Sequence, residues 1–158
     1  MLSTNQTAQS VIKGMLDLRF NTETVAVMVD ESEVAEMAHG QFVKLVDGES
    51  FIPKVVACSA DSDEAFGVVN FSRKEASFSA GEAMEISRDS NVMYLEASGA
   101  IARGAEVIMD LSEAGKVLTA DGAGAGKAIV GYAYDKALAD GDLIRVVLKT
   151  PSFKVTEA

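Results

Sequence analysis

Four places in the 158-residue chain bring together residue types that do chemistry. The first is 121-DGAGAGK-127, where Gly122, Gly124 and Gly126 precede Lys127. A phosphate cradle of the G-x-x-x-x-G-K-[ST] type holds phosphates on backbone N–H groups and magnesium on the hydroxyl. Here Asp121 stands where the first glycine is needed and Ala128 where the hydroxyl is needed. The glycines also run G-x-G-x-G, one residue short of a dinucleotide fingerprint. Both motifs need a helix to begin at the loop. The next segment, 127-KAIVGYAY-134, instead alternates Val130, Tyr132 and Tyr134 as a strand does. The stretch therefore reads as a β–β connection, made mobile by glycine's freedom at positive φ.

The second place is 61-DSDE-64, with Asp61, Asp63 and Glu64. A calcium loop would go on to a further Asp or Asn and a glycine. This one runs into 65-AFG-67 and reads as a solvated acidic turn. The third and fourth are His39 and Cys58, each the sole residue of its type. One nitrogen and one sulfur ligand do not build a usual zinc site. No spacing supplies His39 with a nucleophile and an orienting carboxylate. Cys58 lies in the apolar run 54-KVVACSA-60 and reads as a buried thiol. The methionines are scattered singly, as core fill or contact surface. The expectation is no catalytic residue, no cofactor and no metal. A small hydrolase using Asp61 with Asp63 rests on composition alone.

The length is that of one ordinary domain, large enough to hold a core without staples. The composition is 48% hydrophobic but 6% aromatic, with no Trp, so small and β-branched residues do most of the burying. A formal charge of −10 has the wrong sign for a nucleic-acid surface. No apolar run approaches the ~20 residues of a membrane span, and no polybasic patch is present. The opening MLSTNQTAQS has no basic or long apolar region and does not read as a signal peptide. A single cysteine excludes an internal disulfide, which suits a reducing compartment.

Periodicity gives the elements. From residue 24 onward, short alternating or apolar runs recur at 24–30, 41–47, 53–60, 65–71, 83–87, 91–97, 106–111, 116–120, 127–134 and 143–149. Gly, Asp, Asn and Ser lie between them, the pattern of a small β-barrel or sandwich of about ten short strands. Asp47-Gly48 marks a turn. One helix is expected over 30-DESEVAEMAH-39, capped by Asp30 or Ser32 and closed by Gly40, and a second single turn over 135-DKALAD-140. Residues 1–24 form a separate N-terminal arm, polar at its tip. Val11, Ile12, Met15, Leu16, Leu18 and Phe20 are its candidate partner-binding residues, the last three alternating with Asp17 and Arg19. The β domain covers 25–158.

Several pieces in order carry a resemblance: 40-GQFVKLVDG-48, 65-AFGVV-69, 98-SGAIARGAEVIMD-110, 115-GKV-117 and 129-IVGYAYDKALADGDLIRVVL-148. Together they resemble the decoration, or head-cement, proteins of tailed bacteriophages. The resemblance implies a mainly β fold, β-tulip or jelly-roll-like, and a structural, non-enzymatic role. It implies binding to the major capsid protein on the outer face of an icosahedral capsid, as a homotrimer or a dimer, after synthesis in the host cytoplasm. An extended arm would add main-chain contacts to a neighbour, and deleting residues 1–20 would leave the domain folded. A second reading is a carbohydrate- or receptor-binding β-module displayed on the virion, since short strands with variable loops suit that task.

Overall fold

The computed structural model describes residues 12–20, 22–46, 48, 51–121 and 126–154. Among these described residues twelve strands run in order: β1 Thr24–Val29, β2 Met37–Ala38, β3 Phe42–Leu45, β4 Lys54–Ala57, β5 Gly67–Val69, β6 Ser77–Phe78, β7 Ala83–Ser87, β8 Val92–Ala97, β9 Glu106–Asp110, β10 Lys116–Thr119, β11 Ala128–Ala133 and β12 Leu143–Lys154. Ten of them are the runs expected from periodicity. The other two, β2 and β6, are two-residue strands that pair only with each other.

Among the described residues there is no helix, which corrects both expected ones. In the first, the Asp30 carboxylate accepts the Ser32 N–H at 2.9 Å and the Ser32 hydroxyl at 2.6 Å. Glu33 then sends its carboxylate to the Ala57 N–H at 2.9 Å. Polar side chains thus take the bonds that would start a helix, and a short segment cannot offset the cost of the helical nucleus. In the second, Ala137 bridges to Ile101, and Asp142 accepts the N–H groups of Leu138 and Ala139.

The strands close into two barrels where one barrel or jelly-roll-like sandwich was expected. The rings are β1-β4-β3-β5-β7 and β10-β8-β12-β11-β9. Numbered within its own barrel, each ring has the same order: first, third, second, fourth, fifth. In each, the first and third strands are parallel and every other pairing is antiparallel. The bonds also correspond. Met28 and Asp30 donate to Pro53 and Val55 as Glu96 and Ser98 donate to Gly115 and Val117. The chain is thus a tandem structural repeat, with β1 matched to β8 and β7 to β12.

The repeat reaches individual residues. Gly67 on β5 and Gly131 on β11 occupy the same station. A Cβ at Gly67 would meet Ile86 and Ser87 of β7, and one at Gly131 would meet Val146 and Val147 of β12.

Two apolar clusters fill the barrels. The first barrel buries Val27, Val29, Val43, Val55, Val69, Met84 and Ile86. The second buries Met93, Leu95, Met109, Val130, Val146 and their neighbours, together with Phe42, Cys58, Ala65 and Val68 from the first barrel. On β3, Phe42 and Val43 therefore point to different cores, as do Val68 and Val69 on β5. At Phe42–Val43 and Val68–Val69 these two strands form a wall with both faces buried, and the barrels share it.

Candidate partner-binding surface

The described part of the N-terminal segment, residues 12–20, lies against its own domain. Gly14 and Met15 both face Tyr94: Gly14 N–H donates to the Tyr94 carbonyl and Tyr94 N–H to the Met15 carbonyl, each at 2.9 Å. That is a bulge, and the φ of 87° at Gly14 is the conformation that makes it. Leu16 then pairs with Met93 and packs on the second core. A Cβ at Gly14 would stand 2.9 Å from the Gly40 nitrogen, so arm and first barrel meet there backbone to backbone. Lys13 reaches Glu113 at 3.2 Å, Glu96 at 3.4 Å and the Ala114 carbonyl at 2.9 Å. Alternation ends after Leu16, because the Asp17 carbonyl accepts the Phe20 N–H at 3.1 Å and turns the chain.

Asp17 is the polar anchor of this segment. Its side chain is only 4% exposed and accepts Arg19 Nη2 at 2.7 Å and Arg145 Nη1 at 3.2 Å. Arg145 also grips Asp135 at 2.7 Å and lies 4.5 Å over the Tyr134 ring, which Phe20 meets in a T-shaped contact. The hydrogen bonds from Arg19 hold the Asp17 carboxyl well below the usual carboxylate range, against the opposing effect of burial. The folded-state value lies below the unfolded one, so this stabilisation is complete above ~pH 4 and drains as the pH falls further. Asp17→Asn should cost about 1–3 kcal/mol at neutral pH. Its stability should also fall less steeply than the parent's between ~pH 4 and ~pH 2.5. Urea melts across that range check both; parallel curves would remove Asp17 from the account.

Among the arm residues named from sequence, Val11 lies outside the described residues. Ile12, Leu18 and Phe20 present apolar surface, Leu18 being 81% exposed, while Met15 and Leu16 are half-buried. A groove of about 240 Å³ beside them is lined by Gly14, Met15, Leu16, Leu18, Asn70, Phe71 and Glu85.

The other sequence candidates are held structurally. His39 Nε2 lies 2.8 Å from the Glu75 carbonyl oxygen and its ring packs on Phe71. Cys58 is buried, and desolvation pushes its thiol up to about 12, which makes it a poor nucleophile. Asp61 pairs with Lys127, and Asp63 accepts the Ser59 and Ala60 N–H groups and pairs with Lys44 at 3.0 Å. Gly122, Ala123, Gly124 and Ala125 of the glycine stretch lie outside the described residues. Among the described residues no three His, Cys, Asp or Glu side chains group as a metal site. The Asp17–Arg145–Asp135 cluster escaped the sequence reading, because its members are 128 and 10 residues apart and share no local pattern.

A family model described as structural cement protein (E217 gp24/Pam3 gp6) matches residues 2–149. Among solved structures, the head fiber gp8.5 N base of bacteriophage phi29 is similar, with a TM-score of 0.54 at 14% identity. The match covers 85% of this chain and 100% of that one. At this identity the likeness speaks to the fold. No curated protein matches the chain.

Proposed function

The chain belongs to the phage structural cement protein family, and on that basis we propose that it binds the outer surface of an icosahedral capsid and clamps adjacent capsomers against internal pressure. The observation that carries the reading is the family match over residues 2–149, nearly the whole chain. A protein that binds only the expanded shell stabilises that state by mass action. Three linked copies would act at high effective concentration, which favours a homotrimer over a lone subunit. The exposed apolar side chains of Ile12, Leu18 and Phe20 are suited to contacts with the shell or a neighbouring copy.

Purified protein mixed with expanded, undecorated capsids of the phage that encodes it should co-sediment saturably; absence of saturable binding would remove the proposal. The arm's contribution needs a finer cut than residues 1–20, because Leu16 and Asp17 are part of the folded unit. Deleting residues 1–11 should leave the circular dichroism spectrum intact and weaken capsid binding by about 10-fold or more, given what added main-chain contacts contribute. Unchanged affinity would discard that role.

A further inference from the structure

The two barrels differ at one matched place. In the second barrel, the edge of β8 ahead of its parallel partner β10 is covered by the N-terminal segment: Val92 and Tyr94 exchange bonds with Asp17, Gly14 and Met15. The matching residues of β1 are Thr24 and Ala26. The odd-numbered residues of β1 turn to β7, as the bonds joining Val29 to Glu82 and Gly81 show. The even-numbered ones face the other way. Met28 there finds Pro53, but Thr24 and Ala26 stand at the positions of the β1–β7 ladder that turn away from β7, and within the described chain no hydrogen bond outside that ladder reaches their backbone. Among the described residues, the same slot is filled in one barrel and open in the other.

Its surroundings tell what would fill it. Phe51 and Ile52 hold the place of Glu113 and Ala114, which in the second barrel meet Lys13 of the bound segment. Both are exposed, Phe51 completely. Glu85, opposite Ala26, holds the place of Arg145, opposite Tyr94. Arg145 receives Asp17 of the bound segment, whereas Glu85 is exposed and makes no ion pair among the described residues. At this position the charge is reversed between the two slots. An unpaired strand edge accepts an extended main chain. The exposed apolar residues ask for apolar side chains, and Glu85 asks for a Lys or Arg where the bound segment carries Asp17.

From this charge reversal we infer that the open edge of β1 receives an extended, apolar and cationic segment of the capsid shell protein, added as a strand at Thr24–Ala26 with its cation on Glu85. The inference rests on the capsid-binding function proposed above. Residues 12–19 of a second copy would set Asp17 against Glu85, and residues 1–11 carry no cationic side chain.

The full-length protein and expanded, undecorated capsids of the encoding phage test it. Ala26→Pro removes an N–H that points away from β7, a position where an edge strand tolerates proline. Glu85→Arg reverses the charge at an exposed site. Each should keep the parent's melting temperature within about 2 °C and weaken capsid binding by about 10-fold or more. A benzophenone amino acid in place of Phe51 should cross-link to a capsid-protein segment containing Lys or Arg. Parental affinity in the Glu85→Arg variant, or cross-linking chiefly to a second copy, overturns the inference while leaving capsid binding in place. If the parent itself does not co-sediment, the function beneath it fails and the inference falls with it.

Discussion

Gly131→Ala should lower the unfolding free energy by about 3 kcal/mol or more, although it adds one methyl group. Gly131 lies where the pairing of β11 shifts register against both neighbours, Ile129 facing Ile108 and Phe153 while Gly131 faces Val107 and Leu148. A Cβ there would drive into the Val147 carbonyl oxygen and come within 3.0 Å of Val146 Cγ1. The first obstacle is backbone, so no side-chain rotation relieves it, and β12 would have to move off the barrel. At about 2–4 °C per kcal/mol for a chain of this size, the melting temperature should fall by roughly 6–12 °C. Gly67→Ala should move it in the same direction by less. Its nearest obstacle, Ile86 Cδ1 at 2.7 Å, is the end of a flexible side chain, although the Ser87 carbonyl stands at 2.8 Å. A melting temperature for Gly131→Ala within about 2 °C of the parent would refute the steric account.

Phe42→Ala should cost about 3–5 kcal/mol and destabilise both barrels together. Phe42 belongs to the wall strand β3 and is buried in the second barrel's cluster, while its neighbour Val43 is buried in the first. Removing the ring leaves a void at the place where the two cores adjoin. The three tyrosines, Tyr94, Tyr132 and Tyr134, all belong to the second half of the repeat. Tyrosine fluorescence therefore reports on the second barrel and far-UV circular dichroism on both. In denaturant the two transitions should coincide in the parent, and both should shift together in Phe42→Ala. A tyrosine transition that stays in place while the dichroism midpoint falls would show the barrels to be independent.

Much of the local structure was legible. The alternation of Val25, Val27 and Val29 against Thr24, Ala26 and Met28 marks a strand with one wet face, and the structure keeps that division. The glycine stretch was separated from a phosphate loop by the strand after it, and that strand is β11. The capping pattern at Asp30–Glu33 misled, because the bonds that start a helix can equally close a turn. The same six residues from Thr24 to Val29 did not say that one edge of the strand finds no partner among the described residues, since period 2 tells which face is wet and nothing about which edge is paired.

Composition and local periodicity are properties of neighbouring residues, and they were enough to establish a chain of short strands, an acidic balance and a cysteine set in an apolar run; the likeness to cement proteins came from the ordered pieces between Gly40 and Leu148. Closure of the strands into two barrels of one topology, their joining through Phe42 and Val68, and the covering of one strand slot but not its twin among the described residues came into view only in three dimensions. Those facts depend on pairings between distant segments, such as Arg145 with Asp17, whose cost and reward arise only when the chain closes on itself.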